Sequence, residues 1–533
     1  MKGITDMKKI FSILLITAGF FVVITSCVKD LDTIPLDEDV VTAATVFEDP
    51  AAYKEVLAKL YAGLAVSGQN GPDGNPDISG IDEGFGQYLR GWWYHQELPT
   101  DEAVIGWNDQ TIKDFHNISW GTSDVFISAM YYRIFYQISA CNEYIRETSD
   151  GKLDERGVTG QLRTDVEHYR AEARFLRALS YWHAMDLFGN VPFVTEDDAV
   201  GAFFPQRILR KDLFKYVVTE LQDIEEKLLP PRSEYGRADQ AAAWALLAKV
   251  FLNAQVYADE NRYADCAAYC NKIINAGYGL HPAYRNLFLA DNDQCTDEVI
   301  FAVAFDGDAT RTWGGTNFII HAAIGGSMVP ADFGFGGGWG GTRTTSAFVN
   351  KFPNATGSPD KRGMFHTDGQ NKEIVNIGEF TDGYAITKWR NVKSNGSGGK
   401  SIDYPDTDFP MFRLADIYLM YAEAAVNNAA DVNQAVLYVN EIRKRAYGNI
   451  TGNITSGQLT MDFILDERAR ELYWECHRRT DLIRHGKFTT ADYLWPWKGN
   501  VAEGKAVDNK YNLFPIPASD ITANPNLKQN KDY

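Results

Sequence analysis

Three tryptophans sit in surroundings that a hydrophobic core has little use for. Trp313 lies in "TRTWGGTN", Trp339 in "GGGWGGTR" and Trp107 in "IGWNDQ". A neutral oligosaccharide presents C–H faces that stack on flat π-systems, and hydroxyls that need donors and acceptors at the rim. Indoles are good anchors for such a ligand because they offer much apolar area at low rotamer cost. With their polar neighbours these residues form a candidate glycan-binding set: Trp107 with Asn108, Trp313 with Arg311 and Asn317, and Trp339 with Arg343. Trp92, Trp93 and Tyr94 in "GWWYHQ" are secondary candidates that could equally be packed beneath a loop, and core packing stays open for every one of these rings. Trp182, Trp244 and Trp474 fall in helical patterns and are assigned to the interior.

Other chemistry-bearing stretches lead elsewhere. Asp73, Asn75 and Asp77 begin like a calcium loop, but Ile78 and Gly84 stand where the turn glycine and bidentate glutamate belong, so the bland reading is an Asx-rich turn. "SNGSGGKS" lacks the first glycine of a phosphate loop, and no HExxH, GxSxG or zinc-ligand spacing occurs. Asp101 and Glu102 in "LPTDEAV" are adjacent and expected to point apart, which is not the facing carboxylate pair a glycosidase needs. In "LDERARELYWECHRRTDLIRHGKF" (465–488), helical spacing would pair Glu475 with Arg479 and Asp481 with Arg484, a solvated or half-buried ion network. No catalytic residue, cofactor or metal is called for.

The elements that must hold the tryptophans are mostly helices. Apolar residues recur at helical spacing from Ala51 to Leu64 and through 165–189, where Gly189 supplies a stop; 210–231 ends on Pro230 and Pro231. Residues 236–257 are Ala-rich, 263–277 close at Gly277, and helices carrying Leu414–Ala425 and Val432–Ile442 are separated by about five residues. These are helix hairpins of tetratricopeptide size without the strict repeat signature. Between them, residues 278–410 are rich in glycine clusters, with only short strand-like pieces such as "EVIFAVAF" and "YAITKWR". A long irregular segment inside a compact fold is usually functional. The expectation is a mainly α protein: a scaffold over about 49–277 and 411–490, a loop-rich binding lobe over 278–410, and a tail over 491–533.

The N-terminus reads as an export signal. Lys8 and Lys9 precede fifteen largely apolar residues, Ile10 to Ile24, too short to span a bilayer as a helix. Ile24-Thr25-Ser26-Cys27 is arranged like a lipobox, which would make residues 1–26 a signal peptide, Cys27 the lipidated first residue and 27–48 a tether. Removing a segment of net charge +2 takes the formal charge from −19 to about −21, a surface that repels nucleic acid. The five remaining cysteines, Cys141, Cys266, Cys270, Cys295 and Cys476, are scattered and odd in number, and read as buried thiols.

Several of these pieces together resemble one family. Glu467-Arg468, Glu471-Leu472 and Arg478-x-x-Asp481-Leu482-Ile483-Arg484 are similar to the late helix of the SusD/RagB outer-membrane nutrient-binding proteins. "FRLADIYLMYAEAA" resembles their Arg-x-Ala-(Asp/Glu)-x-x-Leu-x-Tyr-Ala-Glu-Ala helix through Arg413, Ala415, Asp416, Leu419, Tyr421, Ala422, Glu423 and Ala424. "LPTDEAV", "RAEARFLRALSYWHAMDLFGNVPFV" and the ending "LFPIPASDITANPNLKQNKDY" match as well. The resemblance implies a surface-exposed lipoprotein of the cell outer membrane, anchored by lipid, with tetratricopeptide-like helix pairs and an irregular binding lobe. It would capture oligosaccharide or polysaccharide without cleaving it and deliver it to a SusC-like TonB-dependent transporter. The family often places part of its platform just after the Thr-Asp-Glu motif, where Trp107 lies. A surface glycoside hydrolase and a peptide-binding or structural lid are the rival readings.

Overall fold

A computed structural model describes residues 46–68, 71–72, 76–199, 201 and 203–533; Cys27, the signal segment, Asp73 and Asn75 lie outside the described residues. The chain divides into two compact units, Met1–Ala52 and Tyr53–Tyr533. Helix α1 (Ala52–Ala65) spans the division, and every other element named here lies in the second unit.

The scaffold is a succession of packed helices. After α2 (Tyr88–Gln96) come α3 (Val125–Glu147) and α4 (Gly160–Phe188), packed on each other, with α5 (Arg210–Ile224) also packed on α4. Next, α6 (Gln240–Leu252) packs on α7 (Tyr263–Ile274). Ala241, Ala242, Ala243, Ala245 and Ala248 are all buried on α6, so its neighbours meet methyl groups and approach closely. Asp124, Asp239 and Asp431 cap three helix starts through their carboxylates. Gly189, with a φ of 72° that favours glycine, ends α4 as its place in the sequence predicts.

The helix that α7 packs against next is remote in sequence. Residues 275–413 intervene before α9 (Leu414–Val426), which contacts α7 on one side and α10 (Val432–Tyr447) on the other. The irregular segment is thus an insertion between two neighbouring helices of one array. Its base is tied by an antiparallel pair, β2 (Val299–Val303) with β4 (Phe409–Arg413), in which Val299 faces Arg413 and Val303 faces Phe409. Within the insertion the longest described helix is α8 (Gly315–His321), and a two-residue strand β3 (Thr342–Arg343) pairs with β1 (Val104–Ile105), from the N-terminal side of the chain. The fold is mainly helical with few, short strands.

The charged stretch behaves differently from its expected reading. It forms α11 (Met461–Leu472) and α12 (Arg478–Arg484), two helices separated by a turn in which Trp474 and Cys476 have φ of 61° and 65°. That break removes the helical register between Glu475 and Arg479, so the expected pair does not form. Glu475 meets Arg413 and Lys388 instead, at 2.6 and 2.7 Å, and Arg479 meets Asp186 at 3.2 Å. Asp481 and Arg484 do pair, at 2.8 Å. The network is sealed, not solvated: Arg362 bonds Asp360, Glu467 and Glu471, Arg413 bonds Glu298, Glu471 and Glu475, and Arg468 joins Asp416 to Asp481, all with buried side chains. Burial alone would raise the Glu471 carboxyl, but Arg445, Arg413 and Arg362 hold it at about 2. The five cysteines are buried and unbridged.

Candidate functional site

The β1–β3 pairing is what assembles the aromatic cluster. Val104 faces Arg343 and Ile105 faces Thr342, which draws Trp107, two residues beyond β1, against Trp339, three residues before β3. The loop bearing Trp339 is fastened to the end of α8: the Trp339 amide donates to the His321 carbonyl at 2.8 Å and the Gly341 amide to that of Ala322 at 2.8 Å. Trp313 enters from the other end of the same helix, two residues before it begins.

The rings follow one another in a continuous series of contacts. Trp107 and Trp339 have centroids 6.3 Å apart with planes at 50°, and the Trp107 indole N–H donates to the Trp339 carbonyl at 3.2 Å. Trp339 and Trp313 are 6.1 Å apart at 69°, and Trp313 continues to Tyr404 at 5.3 Å and 36°. The three tryptophans are half-buried, whereas Asn108 and Arg311 are exposed. Arg311 lies over the Tyr404 ring at 5.3 Å, and Asn108 accepts a hydrogen bond from Lys113 at 2.5 Å. Glycine has a specific task here, since a Cβ on Gly341 would come within 2.6 Å of the Trp107 indole, so the ring lies directly on backbone.

The sequence-derived set therefore divides. Trp107, Trp313 and Trp339 are brought together, with Asn108 exposed beside Trp107. Asn317 and Arg343 are corrected: both are fully buried and have no surface with which to meet a ligand. Arg343 donates to the carbonyls of Asp382, Gly341 and Ile377 at 2.9, 2.8 and 2.6 Å, so a guanidinium expected at the rim is a clamp for loop backbone. Asn317 donates to the Thr312 carbonyl at 2.6 Å and accepts from His321. Trp92, Trp93 and Tyr94 are interior residues of α2, with Trp92 stacked on His183 at 3.8 Å and Trp93 set edge-on to Trp474 at 5.5 Å. Their helix still serves the cluster through Arg90, which bonds the Trp313 carbonyl and the Tyr94 hydroxyl, both at 2.8 Å. Trp182 and Trp474 are buried as expected; Trp244 is half-buried and bonds Glu225.

Sequence reasoning did not find Tyr404, His321 or Arg90. Tyr404 sits in "SIDYPDTD" with no glycine flank, and α8 is too short to show a helical period that would set His321 behind a ring.

One constellation that resembles catalytic machinery lies elsewhere and is closed off. Burial raises the Glu97 carboxyl to about 7, and burial together with Glu97 raises Glu102 well above the usual carboxylate range. Both side chains are buried and work on backbone: Glu97 accepts from the amides of Cys476 and His477, and Glu102 from that of Trp474. They hold the positive-φ turn between α11 and α12, satisfying buried amides that would otherwise be orphan donors and offsetting the strain of its backbone.

Comparison with known proteins agrees with this architecture. Residues 369–533 match the SusD family, a span that contains α9 to α12 and, of the aromatic row, Tyr404 alone. Over 99% of its length, and 99% of the other, the chain is 35% identical to the starch-binding protein SusD of Bacteroides thetaiotaomicron. A SusD-like protein of Bacteroides ovatus is 26% identical over 59% of this chain and 58% of its own. Among solved structures, surface glycan-binding protein A of Bacteroides thetaiotaomicron, in complex with laminarihexaose, superposes with a TM-score of 0.69 at 20% identity, covering 90% of this chain and 99% of that one. A SusD superfamily protein of Parabacteroides distasonis gives 0.70 at 22% identity over 93% and 100%. With full-length identity above a third to a SusD protein and the fold of the superfamily, the chain belongs to the SusD family.

Proposed function

We propose that the protein is a non-enzymatic, cell-surface glycan-binding lipoprotein whose ligand lies along the Trp107–Trp339–Trp313 row. The observation that carries this reading is that three glycine- or polar-flanked tryptophans, distant in sequence, form one continuous half-buried row with Asn108 and Arg311 exposed at its ends. Successive planes turned by 50° and 69° suit a chain that curves, because a flat ribbon-like glucan needs coplanar rings to stack on. A helically curved α-glucan is thus the preferred ligand, in keeping with the starch-binding relative. The relatives named as binding proteins support capture without cleavage. Cys27 would carry the lipid that anchors the chain at the outer membrane, and a SusC-like TonB-dependent transporter would receive the glycan.

Calorimetry with maltoheptaose, laminarihexaose and cellohexaose tests the reading. Binding of maltoheptaose, weakened strongly by Trp313→Ala and Trp339→Ala, is the expected result. Equal affinity in both variants removes the row as the site, and new reducing ends in the incubation mixture replace capture with hydrolysis.

A further inference from the structure

Trp339 is the middle ring of the row, and although its amide is fastened to the His321 carbonyl, the residues flanking it in the chain are glycines that offer no side chain to hold the indole. Gly336, Gly337 and Gly338 precede it, Gly340 follows with φ of 56°, and the three preceding glycines are exposed. A ring on such a loop takes its orientation from side-chain contacts. Trp107 and Trp313 meet it at 50° and 69°, leaving His321 as its parallel partner: the imidazole lies 4.9 Å from the indole with planes 10° apart. His321 is buried and backed by Phe335, whose centroid is 3.8 Å away.

The plane of His321 is in turn set from one helical turn earlier. Its Nδ1 is bonded to the Asn317 Oδ1, while the Asn317 Nδ2 donates to the Thr312 carbonyl at 2.6 Å. With the amide nitrogen engaged as donor, Oδ1 must accept, so Nδ1 carries the proton. Burial lowers the imidazole pKa to about 4, which keeps the ring neutral near pH 7. Thr312 directly precedes Trp313. A single amide therefore touches the backbone beside one platform indole and the ring beneath another.

We infer that Asn317 and His321 are positioning residues of the glycan platform: together they fix the angle between the Trp313 and Trp339 indoles, and through it the curvature of the chain the row accepts. This rests on the glycan reading above. Neither residue needs to touch ligand, and the buried Asn317 has no surface to do so.

The test is a double-mutant cycle on the full chain with maltoheptaose as probe, read beside indole 15N–1H spectra. His321→Ala should weaken binding about ten-fold, the scale of a lost ring stack, and His321→Phe should recover most of it. In a Trp339→Ala background, His321→Ala should change affinity by less than about two-fold, because its effect passes through the missing indole. Asn317→Ala should flatten the preference for maltoheptaose over cellohexaose. Equal losses from His321→Ala in both backgrounds, or no loss in the first, overturn the inference. If the unaltered protein binds none of the probes, the glycan reading falls, and the spectra still judge the pair. The Trp339 indole signal, assigned through Trp339→Phe, should shift and broaden in His321→Ala while those of Trp92 and Trp93 stay fixed. An unchanged Trp339 signal overturns the positioning role.

Discussion

The aromatic row and the α11–α12 ion network are both dense in residues that could do chemistry, and they differ in what surrounds them. In the network every charge is met by an opposite one inside the protein, as when Arg413 takes Glu298, Glu471 and Glu475 at 2.6 to 3.0 Å. In the row, the tryptophans meet each other edge-on or tilted and remain half-buried. Saturation marks a structural joint, and unspent surface marks a binding site. The network ties α9, α11, α12 and the base of the insertion together, which is the rigid ground that the lobe requires.

The largest way to break this contrast is Arg413→Ala. Three buried carboxylates would lose a partner, and removing one side of a buried ion cluster costs about 3–5 kcal/mol. The urea midpoint should fall sharply, while the fraction that remains folded keeps its glucan affinity. Trp339→Ala should do the reverse, lowering affinity on the order of a hundred-fold with a smaller shift in thermal midpoint than Arg413→Ala. A variant of either kind that moved both quantities equally would erase the distinction.

That division was only partly visible in the sequence. Helix pairs were legible because apolar spacing and alanine content are local properties, and the three tryptophans stood out because glycine flanks are foreign to a core. The depth of the charges was not. "LYWECHRR" contains no glycine or proline, so nothing announces that Trp474 and Cys476 turn left-handed; the cause lies far upstream, in the carboxylates of Glu97 and Glu102. Asn317 and Arg343 misled for a related reason: a polar side chain satisfied by loop carbonyls has the same letter as one waiting for a sugar.

An intermediate effect sharpens the comparison through pH. Glu97 and Asp408 are raised to about 7, burial being the main cause in each. Below their ordinary values of 4.5 and 3.8 both folded and unfolded chains hold these protons and the stabilisation is present in full; as pH rises toward 7 only the folded protein holds them, so stability falls by about 1.4 kcal/mol per pH unit for each group. On the acid side, Glu471 and Asp481, held at about 2 by their arginines against burial, lose their contribution as pH drops from about 4 to 2. The thermal midpoint should peak near pH 5 and lie lower at pH 8. Glu97→Gln, which keeps an acceptor for the Cys476 amide and supplies a permanent donor toward Glu102, should narrow the difference between pH 5 and 8. A gap of unchanged size would show that Glu97 does not titrate between those two pH values.

The smallest effect belongs to Asn108. Its side chain is exposed beside Trp107 and already accepts from Lys113, so it has donor capacity left for a sugar hydroxyl in a place where water competes. An exposed hydrogen bond of that kind contributes about 0.5–1 kcal/mol, and Asn108→Ala should weaken maltoheptaose by no more than about five-fold with no change in stability. Because Trp107 is one end of the row, the loss should vanish for glucans too short to extend past it, so affinity measured from maltotriose upward locates the residue along the chain. A loss independent of length would move Asn108 from the rim into the support of Trp107, and the boundary between saturated and open groups would shift one residue outward.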